Sequence, residues 1–90
     1  MQDFRKISEN DNVAVALREL LPGVQVIVDG GAIRINDRIE FGHKFAIKEI
    51  SKGSGVVKYG EIIGEATSDI KPGDHVHINN LISLRVRRAH

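Results

Sequence analysis

Hydrophobic and polar positions along the chain change rhythm once, near Gly23. Before it, "NDNVAVALRELLPG" places Val13, Ala16, Leu17 and Leu20 at i, i+3, i+4 and i+7, the spacing of one helix face. Asp11 or Asn12 would cap the start of that helix and Pro22-Gly23 would end it. The pattern therefore predicts one N-terminal helix, preceded by a short strand or arm around "FRKI". After Gly23 the runs are short and β-prone. "VQVIV" (24–28) and "AIRIN" (32–36) flank a "DGG" turn signal and read as a hairpin. "KFAIKEI" (44–50), "GVVKYG" (55–60), "EIIGEA" (61–66), "DHVHIN" (74–79) and "LISLRVR" (81–87) follow, divided by Gly, Pro, Ser, Lys and Asp. The expectation is a mostly β domain of short strands with one N-terminal helix.

A faint echo runs through the turns. "LLPG" (20–23), "ISKG" (50–53) and "IKPG" (70–73) each set an apolar residue ahead of a glycine, and each precedes a β-prone run. Glycine supplies positive φ in such tight turns.

Composition narrows the picture. Ninety residues suit a single small domain, read as residues 1–90, and 41% hydrophobic residues suffice for a core. With three Phe, one Tyr and no Trp, that core is expected to be Val, Ile and Leu. The absence of Cys excludes disulfides and thiolate sites. A net charge of +1 argues neither for nor against nucleic acid in bulk, and no apolar run approaches the roughly 20 residues of a membrane span. The expectation is a cytoplasmic protein with neither a nucleic-acid nor a membrane partner. A domain this small gains stability from partners, and homo-oligomerisation is compatible with the pattern.

Candidate chemistry gathers on the histidines and their neighbours. In an extended strand His75, His77 and Asn79 share one face, with Val76 and Ile78 directed to the core. Imidazoles so placed have Cα atoms about 6.5–7 Å apart and their nitrogens can converge on one ion. Two ligands do not complete a site, however, and the same spacing describes the wet side of a strand. In "FGHKFA", His43 and Lys44 set a titratable group beside a cation, suited to holding a carboxylate or moving a proton, or to an ordinary strand entry. In "VVKYG", Lys58 can neutralise an acid and Tyr59 can donate a hydrogen bond, though Tyr59 also reads as core filler with a bonded tip. Arg85 and Arg87 share a face of the last strand, open to an anionic substrate. Without interleaved aromatics this basic end is a poor nucleic-acid surface. No phosphate loop, dinucleotide fingerprint or nucleophile elbow occurs.

Taken together, "DNVAVAL" and "GHKFAIKEISKGSGVVKYGEIIGEATSDIKPGDHVHINNL" resemble the small SAF-type, β-clip domain of the altronate/galactarate dehydratase family, to which sulfolactate sulfo-lyase also belongs. The resemblance covers roughly residues 10 to 81. It implies a lyase in which a dihydroxy acid loses water to give a 2-keto-3-deoxy acid, helped by Fe2+ or Mn2+. In the sulfo-lyase variant sulfite leaves instead. It further implies the small subunit of such an enzyme, inactive without a large subunit that carries or shares the metal. Gly42, His43 and Lys44 match the family's GHK; Lys58, Tyr59 and Gly60 match KYG; His75, Val76 and His77 match HVH; Asn80 and Leu81 match the Asn-Leu that follows. On this basis His43, Lys44, Lys58 and Tyr59 are the catalytic candidates. His77, Asn80 and Arg85 are candidates for substrate, and His75 and His77 for metal. Many relatives carry a third histidine where this chain has Asn79, so the strand by itself offers a poorer donor set. A stand-alone sugar-acid-binding or regulatory module is the reading from a different functional class.

Overall fold

The computed structural model describes residues 2–84. Among these residues the elements are nine short strands: β1 (Phe4–Arg5), β2 (Val13–Ala16), β3 (Gln25–Val28), β4 (Gly31–Arg34), β5 (Lys44–Ala46), β6 (Gly55–Lys58), β7 (Glu61–Ala66), β8 (His75–Val76) and β9 (Leu81–Ser83). They form an antiparallel four-stranded sheet in the order β1-β2-β5-β8, the hairpin β3-β4, and a three-stranded sheet β6-β7-β9.

The predicted N-terminal helix is absent, and its first turn is strand β2. The reason lies in where β2 runs. Val13, Ala14 and Ala16 are all buried, Val13 in one hydrophobic cluster and Ala14 and Ala16 in the other. A strand covered on both faces loses the apolar–polar alternation of a half-buried one, and its continuous apolar run mimics a helical stripe. Leu20, assigned to the same stripe, instead exchanges backbone hydrogen bonds with Ile39 (2.8 Å each way). The assigned cap residues have other duties. The buried Asp11 accepts from the N–H groups of Ile7 and Ser8 (both 3.1 Å) and of Gly60 (2.7 Å), tying the N-terminal arm to the β6–β7 turn. Its Asn12 neighbour pairs with β6 as a strand would, accepting from Val57 N–H (2.7 Å) and donating to the Gly55 carbonyl (2.9 Å).

The echo among the turns is a structural repeat, with a fourth copy at "IEFG" (39–42). Leu20–Ile39 and Ile50–Ile70 form matching reciprocal bridges. Gly23 N–H donates to Ile35 as Gly53 N–H donates to Ala66, and Gly42 to Ala16 as Gly73 to Ala46. The β3–β4 turn at Asp29-Gly30 (φ 49° and 82°) is reproduced at the β6–β7 turn by Tyr59-Gly60 (φ 53° and 81°). Two successive left-handed residues make the tight hairpin turn whose twist matches its strands.

Each half has its own core. Leu20, Val26, Ile33, Ile35, Ile39 and Phe45 lead one; Val13, Ile50, Val56, Ala66, Ile70 and Val76 lead the other. The expectation of an aliphatic core holds, with Phe45 as its one fully buried aromatic ring. Strands β2 and β5 separate the halves and feed both, and β8 pairs with β5 at the edge of the same sheet.

Candidate functional site

Three histidines meet at the end of the β5–β8 pair. Gly42, in the left-handed region at φ 84°, turns the chain so that His43 enters β5. His75 opens β8, opposite Phe45 in the antiparallel register, and its backbone N–H donates to Asp37 Oδ2 at 3.0 Å. His77 lies just beyond β8. His43 Nδ1 stands 3.1 Å from His75 Nε2, and one ring nitrogen from each of His43, His75 and His77 falls within 4.8 Å of the others. The rings are stacked, with centroids 5.2–5.6 Å apart and interplanar angles of 12–18°. His43 also lies near Glu40, Nε2 to Oε2 at 3.7 Å.

The strand predicted over 74–79 ends at Val76, and the chain then turns through residues 77–80. This corrects the expectation for Ile78, which is 84% exposed and not in the core. The turn is fixed by Asn80, whose Oδ1 accepts from His77 N–H (2.9 Å) and whose Nδ2 donates to the His75 carbonyl (2.8 Å). That side chain, a substrate candidate from sequence, here holds backbone on both sides of the histidine pair. Asn79 is exposed on the same turn.

At His75 the surroundings favour neutral imidazole. Burial pushes the His75 pKa below its ordinary value, and positive charge on His43 and His77 pushes the same way; Asp37 opposes and Lys44 adds to the lowering. Lys44 is also lowered, first by burial and then by Lys58 nearby. Neither lysine has an acidic ion-pair partner among the described residues. Lys58 sits 5.4 Å from the centroid of the Tyr59 ring, on the β6–β7 turn rather than in a core. A cleft of about 550 Å³ runs beside the trio, lined by Lys44, Thr67, His77, Ile78, Leu81, Ile82 and Ser83. Arg85 and Arg87 lie outside the described residues.

The donor set suits a divalent transition metal. Imidazole nitrogens bound to one ion at about 2.1 Å lie about 3.0–3.4 Å apart. The His43–His75 pair already has this spacing, and His77 offers a third nitrogen within 4.8 Å of the other two. Sequence reasoning separated His43 from the other two because the β5–β8 pairing that unites them is long-range. Among the cleft residues Thr67 and Ile82 carried no motif signal, and Leu81 only its place in the Asn-Leu pair.

Residues 2–84 match the altronate/galactarate dehydratase SAF domain. The chain belongs to that family. It is 48% identical over 77 residues to the altronate dehydratase of Escherichia coli and 41% identical over 80 residues to that of Bacillus subtilis, covering 86% and 89% of this chain. It is 45% identical over 47 residues, 52% of its length, to the (2R)-sulfolactate sulfo-lyase subunit alpha of Paracoccus pantotrophus. The matched segment spans only 16% of either altronate dehydratase, but 70% of the sulfo-lyase subunit. No helix among the described residues of this SAF domain is long and apolar enough to cross a membrane.

Proposed function

We propose that this chain is the small subunit of a hydroxy-acid dehydratase of the altronate/galactarate type, a carbon–oxygen lyase that removes water from a sugar acid together with a large subunit. The observation that carries this reading is the convergence of His43, His75 and His77 beside a cleft containing an unpaired, half-buried Lys44. Elimination requires a base for the proton α to the carboxylate, assistance to the departing hydroxyl, and positive charge for the acid and the developing enolate. His43, His75 and His77 would hold Fe2+ or Mn2+ shared with the large subunit. The ion supplies Lewis acidity toward the substrate oxygens. Lys44 and Lys58 attract the substrate carboxylate, and the lowered pKa of Lys44 brings it closer to proton transfer. Tyr59 offers a phenolic donor at the turn beside Lys58. Asn80 positions the histidine pair through the backbone.

The test is co-expression with the large dehydratase chain of the same genome and assay on altronate, galactarate and sulfolactate with added Fe(II) or Mn(II). Water loss by the complex alone, abolished in a His75→Ala/His77→Ala complex that still assembles, is the expected result. Equal turnover by the large chain without this one would leave a binding or regulatory module.

The similarity to a sulfo-lyase subunit alpha favours one second reading, the small subunit of a sulfolactate sulfo-lyase. The same cations would then serve a sulfonate substrate and sulfite would be the product, which the sulfolactate arm of the panel detects.

A further inference from the structure

The cleft beside the histidines sets polar side chains, Lys44, Thr67, His77 and Ser83, against apolar ones. Ile78, Leu81 and Ile82 make one wall of it, and none of these side chains offers a hydrogen bond to a hydroxyl or a carboxylate. Ile78 stands at the tip of the turn that carries His77 and is 84% exposed. Phe41, 70% exposed, stands in the turn that leads into His43. Because the rings of His43 and His77 are 5.6 Å apart, these two turns are neighbours. Other large apolar side chains are exposed elsewhere, but here Ile78 runs on into the apolar lining of the cleft with Phe41 on the neighbouring turn, and such a grouping is what a second protein covers. The cleft continues into β9, which supplies Leu81, Ile82 and Ser83 to its lining. The altronate dehydratases similar to this chain extend far beyond the 16% of their length that it matches, so a large body of protein accompanies this domain there.

We infer that Phe41 and Ile78, with Leu81 and Ile82 behind them, are the seat of the large dehydratase chain, which presents an apolar segment to this rim. The inference rests on the small-subunit reading and names the surface through which it acts. Covering Ile78 and Phe41 buries apolar area and removes water from around the three imidazoles. The histidines are then presented to the partner's half of the site.

The test measures calorimetric affinity for the large chain of the same genome with wild type, Phe41→Ser, Ile78→Ser and Ile27→Ser. Ile27, 62% exposed on β3, is the control for an exposed isoleucine outside the cleft. Cobalt(II) absorption of each protein reports the histidine trio separately. Expected is at least a tenfold loss of affinity for Phe41→Ser and for Ile78→Ser, an unchanged Ile27→Ser, and cobalt spectra alike in all four. Wild-type affinity in both rim variants overturns the inference and leaves the small-subunit reading standing. No binding by the wild type removes that reading, and the inference with it. A concentration-dependent dimer of the wild type, lost in Ile78→Ser, would assign the rim to a second copy of this chain and overturn the inference as well.

Discussion

His43 and His75 are 32 positions apart in the chain, yet Nδ1 of one lies 3.1 Å from Nε2 of the other. A hydrogen bond across that gap needs one nitrogen protonated and the other bare, so full protonation of both rings breaks it. Burial and the neighbouring histidines set the His75 pKa below 6.5 in the folded protein. The unfolded chain therefore takes up this proton first as pH falls. Stability from this group is complete above about pH 6.5 and is lost as pH drops through the lower, folded value. The melting temperature of the metal-free protein is expected to decline from pH 7 to pH 5, and His75→Asn to flatten that decline. A wild-type curve as flat as the variant's over this range would remove the coupling.

Asn80 hydrogen-bonds the backbone of both His75 and His77 through one side chain. Replacing it with alanine frees one N–H and one carbonyl and lets the turn over 77–80 relax. Cobalt or zinc affinity is expected to fall about 10- to 100-fold, the range for groups that orient metal ligands. His43→Ala should cost at least as much, because His43 is the third donor. Unchanged affinity in His43→Ala would reduce the centre to the two histidines of the HVH segment.

The β3–β4 hairpin, the aliphatic core and the glycine turns were legible in the sequence because local rules set them. Asp29-Gly30 favours a tight hairpin turn through its own backbone preferences, and Val26, Val28 and Ile33 alternate inward as a half-covered hairpin requires. Strand β2 was illegible because its burial on both faces erased the alternation. The donors of the site were legible singly, from their chemistry and the family motifs. Their grouping was not, since His43 joins His75 and His77 only through the β5–β8 pairing, a contact no spacing rule encodes. Ile78 failed for a related reason: Val76 does continue the inward pattern, but the Asn80 bonds end the strand before Ile78 is reached.

Asp11 is a buried carboxylate with three backbone donors. Burial raises its pKa, but the N–H groups of Gly60, Ser8 and Ile7, with Tyr59 adding, outweigh that and hold it below 3.8. Asp11→Ala orphans the donors of both the N-terminal arm and the β6–β7 turn, and is expected to cost about 3 kcal/mol in urea unfolding. The lowered value means that the wild-type contribution is present above pH 3.8 and disappears as pH falls through the folded pKa. A loss below about 1 kcal/mol would show that water replaces the carboxylate.

Lys44 and Lys58 repel one another, and this adds to the burial that lowers Lys44. Lys58→Ala removes the like charge and leaves the burial, so the Lys44 pKa is expected to rise while staying below 10.5. An NMR titration of the Lys44 side chain measures it. No movement on removal of Lys58 would place the two ammonium groups too far apart to share one substrate carboxylate.

Gly73 and Gly30 share a left-handed backbone, at φ 93° and 82°, but only Gly73 is hemmed in. A Cβ at Gly30 meets open space, whereas at Gly73 it overlaps the Arg34 carbonyl oxygen and crowds the Asn36 amide at 3.2 Å. Gly30→Ala is expected to cost about 1–2 kcal/mol, the strain of the conformation alone. Gly73→Ala adds the clash and should exceed about 3 kcal/mol. It should also weaken cobalt binding, because Gly73 leads directly into β8 and its N–H is anchored to Ala46 at the end of β5. Equal costs at the two glycines would mean that β4 yields to the added methyl, and the support beneath the histidine strand would then be softer than its packing implies.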